Sequence, residues 1–192
     1  MKFLIGILSV FILSFCSTKQ RPTLNSGNYH DIKNFQPKDT LHIIFDGEKY
    51  ELGEPFGYEN QFGDTIIPFG KYAFSFTDTI IAFGIVIEKN NPASELIAID
   101  QNGKKLFEVF RIDNGPDYIK EGLFRILRNG KIGYADSTGK IIIKPQFECA
   151  YPFENGKAKV TFECRKEEKD GHKIMKSDSW FYIDKSGKKL NN

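Results

Sequence analysis

The chain has 192 residues, room for one domain with short appendages, and its 27 Lys and Arg nearly balance 25 Asp and Glu. So even a balance argues against nucleic acid as a partner, which selects for a clustered basic footprint. With 18 Phe, 8 Tyr and 17 Gly, the composition favours pleated strands joined by tight turns, and the expected fold class is all-β.

Residues 1–16 read MKFLIGILSVFILSFC. Lys2 supplies a positive start and residues 3–15 an apolar run, which is the layout of a secretory signal. The run is shorter than the roughly 20 residues a spanning helix needs. Residues 13–16, LSFC, resemble a bacterial lipobox, whose Cys becomes the lipid-bearing first residue of the mature protein. Phe15 stands where that motif prefers Gly, Ala or Ser. The resemblance implies a lipid on Cys16 and a place in the bacterial cell envelope, with Ser17 compatible with the outer membrane. A secreted protein, or an uncleaved anchor, is the alternative if Cys16 is not lipidated. Residues 17–40 are polar, without a sustained apolar period, and are expected to form a flexible tether.

A β domain is expected over 41–192. An opening hairpin around Asp46 and Gly47 should cap its first end. Beyond it, one pattern returns: FGYENQFG at 56–63, LIAIDQNG at 96–103, IGYADSTG at 132–139 and WFYIDKSG at 180–187. The copies begin at 56, 96, 132 and 180, so their intervals of 40, 36 and 48 residues fall in the range of a repeat architecture. In each copy a strand ends at Asn60, Asp100, Asp136 or Asp184, whose side chain can bond the backbone and start a turn. Three residues later Gly63, Gly103, Gly139 or Gly187 supplies a left-handed conformation. A second strand then leaves, ending or reaching a sheet edge at Pro68 or Pro145, where a ladder donor is missing. After a turn at Asn155 and Gly156, residues 157–164 alternate, with Ala158, Val160, Phe162 and Cys164 expected on one face. Asn129 and Gly130 turn the chain from the second copy into the third.

This pattern resembles the WG-repeat family, whose units read G-K-W-G-Y-I-D-x-x-G-K-x-x-I-x-P-x-F followed by P-F-x-x-G-x-A-x-V. Residues 130–136, GKIGYAD, and 151–160, YPFENGKAKV, carry the likeness most strongly. The Trp-Gly pair itself is replaced by Ile132-Gly133 and Phe56-Gly57, and by Trp180-Phe181 in the last copy. The resemblance implies three to four antiparallel multi-stranded units in a solenoid-like or open-barrel stack, and an interaction role rather than a reaction. Such units bury their apolar faces only by stacking, so a single shared interior is expected, with the incomplete last copy, which ends in residues 188–192, as a polar cap.

Cys149 and Cys164 both end a Phe-Glu-Cys triplet and lie symmetrically about a hairpin centred between Gly156 and Lys157. They read either as a disulfide, within Cα reach across that hairpin in an oxidising compartment, or as two small core residues. The carboxylates of Asp100, Asp136 and Asp184 read as turn starters rather than as catalytic acids. Glu167, Glu168, Asp170 and His172 lie in a charged stretch expected to form an extended hairpin tip, with nothing to fix them around a metal. His30 and His42 stand alone. Trp180, Tyr182, Tyr134, Tyr58 and Phe153 read as core rings, the other possibility being a sugar-stacking surface. No nucleophile elbow, phosphate loop or dinucleotide fingerprint occurs. The expectation is therefore a non-catalytic, membrane-tethered binding module with no cofactor or metal, whose partner is an envelope protein or glycan. An envelope hydrolase with a site spread over several copies is the alternative.

Overall fold

The structure, a computed structural model, describes residues 40–47, 50–51, 53–91, 95–169 and 172–191. The leader over 1–16, Cys16 and the tether up to residue 39 lie outside the described residues, as do His30 and Asp170.

The first part of the chain forms β1 (Leu41–Phe45), β2 (Phe56–Glu59), β3 (Thr65–Ile67), β4 (Tyr72–Ser75), β5 (Thr79–Ile80) and β6 (Gly84–Glu88). The middle forms β7 (Leu96–Ile99), β8 (Lys105–Val109), β9 (Arg111–Ile112), β10 (Gly115–Pro116), β11 (Leu123–Arg128) and β12 (Lys131–Asp136). The last part forms β13 (Ile141–Phe147), β14 (Cys149–Ala150), β15 (Lys157–Thr161), β16 (Arg165–Lys169), β17 (His172–Lys176) and β18 (Phe181–Asp184). Among the described residues there is no helix and every strand pair is antiparallel, so the chain is all-β.

The centre is a seven-stranded sheet in the order β13-β12-β11-β8-β7-β6-β4. Beside it lie a four-stranded sheet, β3-β2-β1-β5, and a three-stranded sheet, β14-β15-β18. The ribbons β9-β10 and β16-β17 complete the described strands, and none of the sheets closes on itself. Directly paired residues share a face of a sheet, so Val86, Ile97, Leu127 and Ile132 line one face of the central sheet. One end of that face packs on the four-stranded sheet around Leu41, Tyr58, Ile80 and Val86. The other end packs on the three-stranded sheet around Tyr134, Phe147, Phe153, Val160 and Ile183.

The opposite face buries Ala98, Phe107, Phe124, Ile126 and Ala135 in a cluster drawn from the central sheet itself, with Phe83 packed on it. Phe83, just ahead of β6, meets Phe124 of β11 at 5.8 Å between ring centroids. Three strand spacings of about 4.8 Å would hold them some 14 Å apart in a flat sheet. The sheet therefore coils around this face, and the twist common to all strands lets it cover its own apolar residues. The single interior expected from the sequence is thus divided into three clusters, two at the ends of one face of the central sheet and a third across the sheet from them.

The hairpin expected around Asp46 and Gly47 forms with β2 as its second strand, across a connection that runs to residue 55. β1 pairs directly with β2, Phe45 opposite Phe56, and on its other side with β5. The four apolar residues of LHIIF are better covered in the middle of a sheet than at a solvent-facing cap, and only His42 is exposed. The turn at Asn129 and Gly130 does form as expected: φ values of 52° and 75° make it the two-residue hairpin type whose twist matches the strands it joins, β11 and β12. Pro145 lies in an edge strand, β13, and the β12–β13 register shifts beside it. Pro68 sits just past the end of β3, where a similar shift occurs against β2.

Tyr58 and Tyr134 occupy matching places in two copies and are fully buried. Each keeps its hydroxyl bonded, Tyr58 to Ser75 Oγ at 2.5 Å and Tyr134 donating to the Tyr151 carbonyl at 2.7 Å. Burial raises both phenol pKa values, that of Tyr58 to about 12. In the unfolded chain these phenols ionise near 10. The stabilisation is complete below pH 10 and drains away as pH climbs from there toward the folded-state values. Each of the two tyrosines removes about 1.4 kcal/mol of stability per pH unit in that window. Denaturant midpoints measured between pH 8 and pH 11 should be level to about pH 10 and then fall, and the share of tyrosinate absorbance due to these two side chains should appear only as the fold is lost.

Candidate functional site

The four recurring turns are built alike. Oδ1 of Asn60, Asp100, Asp136 and Asp184 accepts the backbone N–H two residues on at 2.9 Å. It also accepts the N–H four residues on, at 2.8–3.1 Å. Gly63, Gly103, Gly139 and Gly187 follow with φ between 68° and 85° and donate to the carbonyl of the residue that starts the turn. Asp184 is held below the usual carboxylate range, first by the Ser186 hydroxyl and then by the Lys188 amide. These acceptor atoms are committed to the backbone, which is why the same residue types recur there.

The run 157–164 departs from the expected strand. β15 ends at Thr161, whose hydroxyl accepts the Glu163 N–H at 3.2 Å and bends the chain. Phe162 is consequently 54% exposed instead of sharing the buried face of Ala158 and Val160. Cys149 pairs across the ladder with Thr161, not with Cys164. The bend nevertheless brings Cys164 back to Cys149, and the two form a disulfide with a Cα separation of 5.8 Å. With its ends 15 positions apart in the sequence, the bridge should contribute about 3 kcal/mol by limiting the unfolded chain. Replacing both cysteines with alanine should lower the denaturant midpoint accordingly, and the non-reduced protein should show neither thiol to an alkylating reagent.

Glu167 and Glu168 stand on β16, paired to β17, and the Glu167 carboxylate is held low by Lys176 at 2.5 Å. Among the described residues no group of His, Cys, Asp and Glu has a metal-binding arrangement. The aromatic residues divide. Tyr58, Tyr134 and Phe153 are core, whereas Tyr182 is 36% exposed and Trp180 only partly covered. Those two lie with Tyr151 on the outer side of the three-stranded sheet.

That outer side is the candidate site. β15 alternates Lys157 and Lys159 outward with Ala158 and Val160 inward, and β18 places Tyr182 directly opposite Lys159. Lys159 Nζ sits 5.2 Å from the Trp180 ring and Lys157 Nζ 4.7 Å from that of Tyr182. Tyr151, 39% exposed, packs on Trp180 at 5.3 Å. Tyr151, Lys157, Lys159 and Tyr182, together with Lys120, Pro152 and Glu154, border an open groove of about 700 Å³, and Trp180 adjoins it through Tyr151 and Lys159. The volume lies within the range of about 300–1,000 Å³ usual for ligand sites.

The groove has a rigid underside. The Tyr151 carbonyl receives the Tyr134 hydroxyl, and the Tyr151 N–H donates to Lys159 at 2.9 Å. One residue earlier, the Ala150 carbonyl receives Nη1 of Arg125 at 3.0 Å. Arg125 is itself 4% exposed and forms a two-pronged pair with Asp117, Nη2 to Oδ1 at 2.7 Å and Nε to Oδ2 at 2.9 Å. Asp117 Oδ2 also accepts the Arg125 backbone N–H at 2.8 Å, and the guanidinium lies 4.0 Å over the Phe110 ring. At the rim, the Glu121 carboxylate accepts the Gly156 N–H and bonds Lys185 at 3.1 Å, so its pKa is lowered chiefly by that lysine. The loop before β11, the turn before β15 and the turn of the last copy are thus pinned at one point.

The sequence carried a trace of the buried pair. In β11 the face of Leu123 and Leu127 is interrupted by Arg125, a charge at an apolar position of a period-2 strand, which requires a buried counter-charge. Nothing nearby identified Asp117 as that partner. Residues 132–163 match the family model described as WG containing repeat. No curated protein and no solved structure matches the chain. The matched stretch holds Gly133, Tyr134, the turn at Asp136 and both groove lysines, and supports the WG-repeat family for the third copy.

Proposed function

We propose that this protein is a non-catalytic β-repeat binding module of the bacterial cell envelope, tethered to a membrane by a lipid on Cys16. Its partner docks on the outer face of β14, β15 and β18. The observation that carries the reading is the half-exposed Tyr151 and Tyr182 interleaved with Lys157 and Lys159 along one groove, with Trp180 packed on Tyr151 beside it. Aromatic rings and long cations that are neither buried nor simply solvated are what recognition surfaces use. The match of residues 132–163 to a repeat unit points the same way. The acid groups support a binding role too: Asp117 spends both oxygens on Arg125, and the turn carboxylates are tied to backbone amides.

The test places a photo-crosslinking amino acid at position 182 in intact cells. A discrete crosslinked species, absent when the same group is put on the far ribbon at Lys166, is the expected result. Equal labelling from both positions overturns the docking face. Replacing Cys16 with serine should move the protein from the membrane to the soluble fraction, and unchanged fractionation removes the lipid anchor from the proposal.

A further inference from the structure

Resting on that docking face, we infer that its groove takes an acidic saccharide, a sugar chain carrying carboxylates. The lysines are the reason. Lys157 and Lys159 hold their ammonium groups near the faces of Tyr182 and Trp180, at 4.7 and 5.2 Å, which are the faces a sugar ring would stack on. A neutral sugar must displace these cations and returns nothing to them. An acidic sugar draws each ammonium onto its carboxylate and occupies the ring face thereby uncovered. The rings and lysines act as one device that admits a ligand offering both a flat apolar face and an anion.

A peptide fits less well. Extended peptides add to an open sheet edge through backbone hydrogen bonds. Here the free side of β18 is closed by the returning chain, with Ile183 bridged to Lys189 and the Leu190 N–H donating to the Tyr182 carbonyl at 2.8 Å. At β14 the Ala150 and Tyr151 carbonyls are taken from within by Arg125 and Tyr134. Recognition is left to side chains pointing into the groove. Charge favours an anion, since of the two carboxylates beside Lys120, Lys157 and Lys159 one, Glu121, is already paired with Lys185.

Trp180 is the only tryptophan of the 192-residue chain, and it touches Tyr151 and Lys159 of the groove, so its fluorescence reports on their rearrangement. The full chain in detergent should be titrated with an oligogalacturonate, with a neutral galactose oligomer and with a poly-glutamate peptide of matched charge, at low salt. The expected result is a saturable fluorescence change with the oligogalacturonate alone. It should weaken about tenfold in each of Lys157→Gln and Lys159→Gln, the loss of one charge-assisted bond. Both changes are on the surface, and unaltered denaturant midpoints will show that the fold is kept. An equal response to poly-glutamate overturns the saccharide and leaves an acidic peptide. Silence toward all three, with a discrete crosslink still formed from position 182 in cells, overturns the saccharide while the binding module stands. Silence together with no crosslink overturns both.

Discussion

Replacing Asp117 with alanine should lower the unfolding free energy by about 3–5 kcal/mol, the cost of leaving a buried guanidinium without its partner. Arg125 sits in β11 with its side chain only 5% exposed, and the Asp117 side chain is 1% exposed. The carboxylate also caps the Arg125 backbone N–H, so its removal strands three donors at once, that N–H, Nε and Nη2. A typical domain holds only about 5–15 kcal/mol, so this single change consumes a large fraction of the whole. Chemical denaturation read by far-UV circular dichroism measures it. Removing both charges, as Asp117→Leu with Arg125→Met, should recover part of the loss, because no buried charge is left unpaired, although the backbone N–H of residue 125 and the Ala150 carbonyl each lose a partner. If Asp117→Ala unfolds at the same denaturant concentration as the parent, the pair does not hold the groove's underside in place.

The second large effect is expected from Gly133→Ala. A Cβ at this position would lie 2.4 Å from the Ile143 carbonyl oxygen and 2.5 Å from the Pro145 nitrogen. Both are backbone atoms, so no side chain can swing aside, and β13 would have to move off β12 where their register already shifts. Overpacking of this kind costs about 3 kcal/mol. Gly57 is the same feature one copy earlier, its Cβ position 2.6 Å from the Ile67 carbonyl oxygen. Gly57→Ala should cost a similar amount, and the double variant should lose the sum, since the two sites lie in separate apolar clusters. Gly130→Ala, with open space around its Cβ, is strained only by its φ of 75° and should cost less. Equal midpoints for Gly133→Ala and the parent would contradict the close approach of β12 and β13.

This close approach explains the Gly-Tyr pair that marks the repeat. The glycine lets one strand cross tightly over the bulge beside a proline, and the tyrosine next to it turns inward to bond a carbonyl across the core. Read along the chain, Gly57 and Gly133 are merely two glycines between apolar residues. Their function follows from the strands opposite, at Ile67 and Ile143, which no local pattern places.

The boundary between what was readable and what was not follows the range of the interactions. The all-β class, the four turns with their Asx residue and glycine, and the two-residue turn at Asn129 and Gly130 are set within a few residues by backbone conformation and local hydrogen bonds, so composition and spacing carry them. β1 entering the middle of a sheet, the division of the interior into three clusters, the coupling of Asp117 to Arg125 and the meeting of Tyr151 with Trp180 depend on segments brought together by folding. Even the cysteine pair shows the difference. Residue spacing offered a bridge across a hairpin, but it is the bend after Thr161 that carries Cys164 to Cys149, and only the packed sheets determine where that bend falls.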